Sequence, residues 1–95
     1  MEIFNGFAKT YLNSEMAFGY LPRVRSTIAS SAPEWGESIR REFAQVISER
    51  PLSVAQYCDM TWVEFESDDA LYEYLGKVFE YLFVGGDQVP LPPDE

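Results

Sequence analysis

Six carboxylates crowd into fifteen consecutive residues of this chain: Asp59, Glu64, Glu66, Asp68, Asp69 and Glu73. Carboxylates at such density can do chemistry. Two of them flanking a glycosidic bond perform acid–base hydrolysis, and several converging oxygens hold a hard cation. Neither chemistry fits here. A helix–loop–helix calcium site needs a glycine at the sixth loop position and a glutamate at the twelfth, and this segment has no such glycine. A glycosidase needs a substrate cleft, which 95 residues build with difficulty. The chain has no histidine, so Ser-His-Asp and Cys-His pairs are excluded. Zinc without histidine needs several cysteines, and Cys58 stands alone. Lacking a base, Cys58 reads as a small buried hydrophobe. No Gly-rich phosphate loop is present, and Gly85-Gly86 follows a helix, the wrong end for phosphate. The expectation is a protein that is not an enzyme, with no cofactor and no metal.

The same carboxylates also read as a docking surface. Trp62 and Tyr72 lie among them, and aromatic anchors in a field of acids suit a partner rich in Lys and Arg. The charge distribution points the same way. Sixteen acids against seven bases give −9. Residues 1–50 hold six acids and six bases, whereas residues 51–95 hold ten acids and one base, Lys77. A concentrated negative field repels nucleic acid and membrane phosphates and attracts basic proteins. A solvated, solubilising surface accounts for the charge equally well. The candidate contact residues are Asp59, Trp62, Glu64, Glu66, Asp68, Asp69, Tyr72 and Glu73.

These residues must be positioned by one small domain, since a chain of this length buries roughly 60–65% of its unfolded surface. One cysteine, no visible signal peptide at Met1-Glu2-Ile3-Phe4 and no apolar run approaching ~20 residues suggest a cytoplasmic chain without a membrane span. Phe4, Phe7, Ala8 and Tyr11 have helical spacing over residues 2–12. Ser14 is placed to cap a second helix over 15–21, weakened by Gly19, and a short helix from Pro22 carries Val24 and Ile28 inward. Ser31 with Glu34 matches a capping box for a long helix with Trp35, Ile39, Phe43, Val46 and Ile47 on its inner stripe, ended by Pro51. Ser53 and Gln56 begin a short helix through Cys58. Residues 60–66 are ambiguous among strand, helix end and extended coil. Coil is favoured because a lone strand has no partner. Ser67 caps a final helix with Leu71, Leu75, Val78, Phe79 and Leu82 inward, ended by Gly85-Gly86. Tyr72, Tyr74 and Tyr81 do not all fit that stripe, so some tyrosine surface should be exposed. The fold class expected is all-α, a bundle of four to five helices over residues 1–86 with a mobile, acidic, Pro-rich tail over 87–95.

Two segments, Phe4-Asn5-Gly6-Phe7-Ala8-Lys9-Thr10-Tyr11-Leu12-Asn13 and Ser67-Asp68-Asp69-Ala70-Leu71-Tyr72-Glu73-Tyr74-Leu75, make the chain resemble the small acidic immunity proteins of bacterial contact-dependent growth inhibition systems. The resemblance implies a cytoplasmic antitoxin that binds the C-terminal toxin domain of a cognate effector. Such toxins are commonly basic nucleases, and an acidic surface would occupy the groove meant for phosphate. The alternatives are an acidic adaptor or regulatory module for another basic protein, and a nucleic-acid mimic. A mimic spaces its carboxylates along an extended face, whereas these cluster.

Overall fold

The computed structural model describes residues 2–17 and 19–92. Among these the chain is all-α: α1 (Glu2–Tyr11), α2 (Leu21–Ser30), α3 (Pro33–Glu49), α4 (Val54–Thr61) and α5 (Asp68–Phe79), the last continued by a π-helical segment, Glu80–Val84. No strand occurs among the described residues. The longest helix, α3, lies at the centre and packs against α1, α2 and α5, while α4 closes over α1.

The stripes read from the sequence are the ones that turn inward. Phe4, Phe7 and Ala8 of α1, Ile39, Phe43 and Val46 of α3, and Leu71, Leu75 and Val78 of α5 are all buried. Phe43 is their meeting point. Its ring centroid lies 5.0 Å from Phe4, 5.6 Å from Phe79, 6.1 Å from Phe83 and 6.4 Å from Phe7. The Phe4, Phe79 and Phe83 contacts are edge-on, the arrangement the ring quadrupole favours. A second group joins Tyr57, Phe65 and Tyr74, with centroids 5.8 and 5.2 Å apart.

Two local expectations are corrected. Residues 15–17 form a turn, not a helix, and the next helix begins only at Leu21. Asn13 ends α1 instead: its amide donates to the Lys9 and Thr10 carbonyls, while its carbonyl accepts from the Glu15 and Met16 amides. One side chain thus satisfies a helix C-terminus and a turn together, so Ser14 is not the cap. Gly19 takes φ 144°, outside any helix. The Ser31–Glu34 capping box is also absent. The N-cap of α3 is Ala32 without a side-chain bond, and the Ser31 hydroxyl donates back to Ile28 O at 3.0 Å. The corresponding box at Ser53–Gln56 does form, and Ser67 accepts from Ala70 N. The first turn of α1 is capped from a distance, with Phe4 N donating to the Glu42 carboxylate at 3.0 Å. A carboxylate there satisfies an otherwise unpaired amide and meets the positive end of the helix dipole.

Gly85, at φ 97°, ends the π-helical segment, and its N–H and that of Gly86 both donate to Glu80 O. Arg25 of α2 secures this corner, lying 4.8 Å over the Tyr81 ring and donating to Gly86 O at 3.3 Å. Beyond it, Pro90 and Pro92 are buried while Val89 and Leu91 are exposed. The remaining tail residues, with Asp94 and Glu95, lie outside the described residues.

Truncating Phe43 removes the ring that four others share. We expect Phe43→Ala to cost about 3–5 kcal/mol in urea unfolding. A loss below about 1 kcal/mol would show that these helices do not depend on that ring.

Candidate functional site

Helix α4 ends at Trp62, which adopts φ 63°, ψ 20° and donates its N–H to Cys58 O at 2.8 Å. Left-handed helix stops are normally built with glycine, because a Cβ there crowds the following carbonyl at a cost of about 1–2 kcal/mol. This stop is built with the bulkiest residue, and its side chain is 79% exposed. The turn sends residues 63–66 off as coil; the favoured sequence reading of coil over 60–66 is corrected at Met60 and Thr61, which instead complete α4 beyond Cys58. Burial then alternates: Thr61, Val63 and Phe65 are buried, and Trp62, Glu64 and Glu66 are exposed. With a period of two, the three exposed side chains share the solvent face of one short segment.

The buried Thr61 hydroxyl bonds to both sides of this turn. It donates to Tyr57 O at 2.8 Å and accepts from Val63 N at 3.3 Å. Ser14 N donates to Thr61 O at 2.8 Å, which brings the α1–α2 turn against the end of α4. A recess of about 450 Å³ results, bounded by Trp62 and Met60 on one side and by Lys9, Asn13 and Glu15 on the other. Sequence reasoning missed Glu15 and Lys9. They are more than forty residues from Trp62 in the chain, and no local signal announces the Ser14–Thr61 bond.

The eight candidate contact residues separate into groups. Trp62, Glu64 and Glu66 stand together, with Asp59 exposed one turn earlier on α4. Asp68, Asp69 and Tyr72 instead hold the α3–α4 connection. Arg50, in the left-handed conformation that ends α3, pairs with Asp69 at 2.8 Å and lies 5.1 Å over the Tyr72 ring. The Tyr72 hydroxyl accepts from Leu52 N and donates to Leu52 O, each at 2.9 Å, and Asp68 accepts from Val54 N at 3.1 Å. Tyr72 is therefore interior, not a surface anchor. The expectation of exposed tyrosine on α5 is overturned, since Tyr72, Tyr74 and Tyr81 are each no more than 6% exposed. Their rings widen the buried face of α5 beyond a single leucine stripe. Glu73 is exposed and pairs with Lys77 at 3.4 Å, one helical turn on. Asp59, Glu64 and Glu66 have no ion-pair partner among the described residues.

A wider groove of about 810 Å³ runs between α5 and residues 86–91. Glu73, Glu80 and Asp87 stand along it with Lys77, and the Phe65, Tyr74 and Tyr81 rings line it. Tyr74 has a buried hydroxyl with no hydrogen-bond partner among the described residues, as does Tyr57. Burial raises the pKa of both phenols above the ordinary tyrosine range, and at Tyr57 the neighbouring Tyr74 adds to the effect. No group of three or more His, Cys, Asp or Glu side chains converges among the described residues, and no helix among them is long and apolar enough to cross a membrane.

Against known proteins, no family model matches this chain, and no curated protein or solved structure does either.

The tyrosines predict contrasting variants. Tyr72→Phe strands the Leu52 amide and carbonyl and should cost about 1–3 kcal/mol in urea unfolding, whereas Tyr74→Phe removes an unpaired hydroxyl and should be neutral or stabilising. Equal losses would contradict this contrast. The unfolded phenol ionises near 10.0. Because the folded values are higher, proton linkage at Tyr57 and Tyr74 leaves stability unchanged well below that pH. Above it each removes stability by roughly 1.4 kcal/mol per pH unit. Urea midpoints between pH 9 and 11 should therefore fall less steeply for Tyr74→Phe than for the parent, and parallel slopes would contradict the assignment.

Proposed function

We propose that this chain acts by binding and that its partner is a basic protein. It is an immunity protein that captures and neutralises a cationic toxin domain, of the kind carried at the C-terminus of contact-dependent growth inhibition effectors. The observation that carries this reading is Trp62, a largely exposed indole on a left-handed helix stop, with Glu64 and Glu66 on the same face. Exposing an indole forfeits burial energy, and holding it at positive φ adds strain. Features that cost stability in this way concentrate at functional sites. The likeness of the Phe4–Asn13 and Ser67–Leu75 segments to such immunity proteins, and the charge confined to the second half of the chain, support the same assignment.

The chemistry divides between the two residue types. Trp62 is the anchor, since tryptophan at the centre of an interface commonly contributes at least ~2 kcal/mol. Glu64, Glu66 and Asp59 steer. Complementary charge raises association from about 10⁵–10⁶ toward 10⁸–10⁹ M⁻¹s⁻¹ at low salt, a useful property where free toxin is lethal. On a nuclease the carboxylates would occupy the surface that otherwise receives phosphates. The reading places the chain in the cytoplasm and assigns it no nucleic-acid or membrane partner, no cofactor and no reaction of its own.

The test is co-expression with the product of the gene immediately upstream, which the proposal expects to be a large effector with a toxin tip, scored by survival and by association kinetics. Trp62→Gly should weaken binding about thirtyfold or more. Its thermal stability should hold or rise, because glycine relieves the left-handed strain. Glu64→Gln with Glu66→Gln should slow association at low salt and leave dissociation nearly unchanged. A toxin that kills equally with and without the chain contradicts the proposal. An unchanged affinity in Trp62→Gly removes the indole from the interface.

A further inference from the structure

The groove between α5 and residues 86–91 remains unused by the Trp62 face. One of its walls is the π-helical segment beginning at Glu80. Such segments are rare, and where they occur they frequently border functional sites. The other wall is a stretch of chain whose backbone polar groups are free. None of residues 87–91 makes a backbone–backbone hydrogen bond among the described residues. Open backbone groups, Pro90 having no N–H to offer, can bond to a peptide that lies alongside.

The groove's side chains narrow the occupant further. Glu73, Glu80 and Asp87 face one cation, Lys77, which already pairs with Glu73. The rings of Phe65, Tyr74 and Tyr81, each no more than 6% exposed, floor the groove with edges against which the stem of a lysine or arginine can lie. Val89 and Leu91 are exposed apolar side chains on the same wall, ready for apolar residues flanking a cation.

We infer that this groove seats an extended segment of the protein partner carrying arginine or lysine between apolar residues, a second contact separate from Trp62. The inference rests on the reading that the partner is a basic protein, and its test does not require the toxin. The probe is a blocked pentapeptide, Gly-Leu-Arg-Leu-Gly, titrated into isotopically labelled protein and followed by amide chemical shifts. Shifts should concentrate in residue 65, residues 70–81 and residues 86–91. Replacing the arginine by citrulline, which is uncharged, should abolish them. Glu80→Gln with Asp87→Asn should weaken the peptide about tenfold. Glu2→Gln with Glu49→Gln, the same change in net charge elsewhere, should leave it within about twofold. Trp62→Gly should also leave it unchanged. Equal binding of the citrulline peptide, equal weakening by both double variants, or shifts outside the groove would each overturn the inference. A chain that binds the peptide here and protects against no toxin would keep the groove and remove the immunity role.

Discussion

The left-handed turn at Trp62 decides where the second half of this molecule goes. A helix that continued past Thr61 would rotate each following residue by about 100° and spread Val63, Glu64, Phe65 and Glu66 around a cylinder. By stopping there, the chain switches to a period of two. Val63 and Phe65 then enter the core, while Trp62, Glu64 and Glu66 remain outside. The buried pair makes the stop worthwhile, since Phe65 links Tyr57 to Tyr74 and so joins α4 to α5. The strain at one residue is thus balanced by packing two positions on. The exposed indole is a consequence of the same geometry.

The rest of the fold reaches that point through side chains that act at a distance. Phe43 collects rings from α1, α5 and the π-helical segment. Tyr72 and Asp68 supply the hydrogen bonds that Leu52 and Val54 lack, and Arg50 bridges to Asp69. Glu42 caps a helix thirty-eight residues away. These contacts orient short helices that have little stability alone.

Much of the architecture was legible because helical periodicity is a local property. The α3 and α5 stripes, the caps at Ser53 and Ser67 and the stop at Gly85-Gly86 follow from residues within one or two turns of each other. Failures came where a local rule met a tertiary competitor. Ser31 had the spacing of a cap, but its hydroxyl found the Ile28 carbonyl first. Residues 15–21 were apolar enough for a helix, but Asn13 closed a turn ahead of them. Of the candidate site, the sequence revealed that acids and an indole are neighbours. It did not reveal that Asp68, Asp69 and Tyr72 are committed to the Arg50–Val54 connection. Those partners lie fourteen to twenty residues away, and nothing in a local window distinguishes a free carboxylate from one already accepting a bond.

A division of labour among the carboxylates follows. Asp68 and Asp69 bond to the α3–α4 connection, Glu64 and Glu66 flank the exposed indole, and Glu73, Glu80 and Asp87 border the groove. The net charge of −9 is therefore not one undifferentiated patch. The proposed binding role centres on the group beside Trp62. The most direct measurement is acrylamide quenching of Trp62 fluorescence in a Trp35→Phe background, with and without the proposed partner, a basic toxin domain. The account predicts an accessible indole in the free chain that becomes shielded in the complex. An indole equally quenched in both states would contradict it.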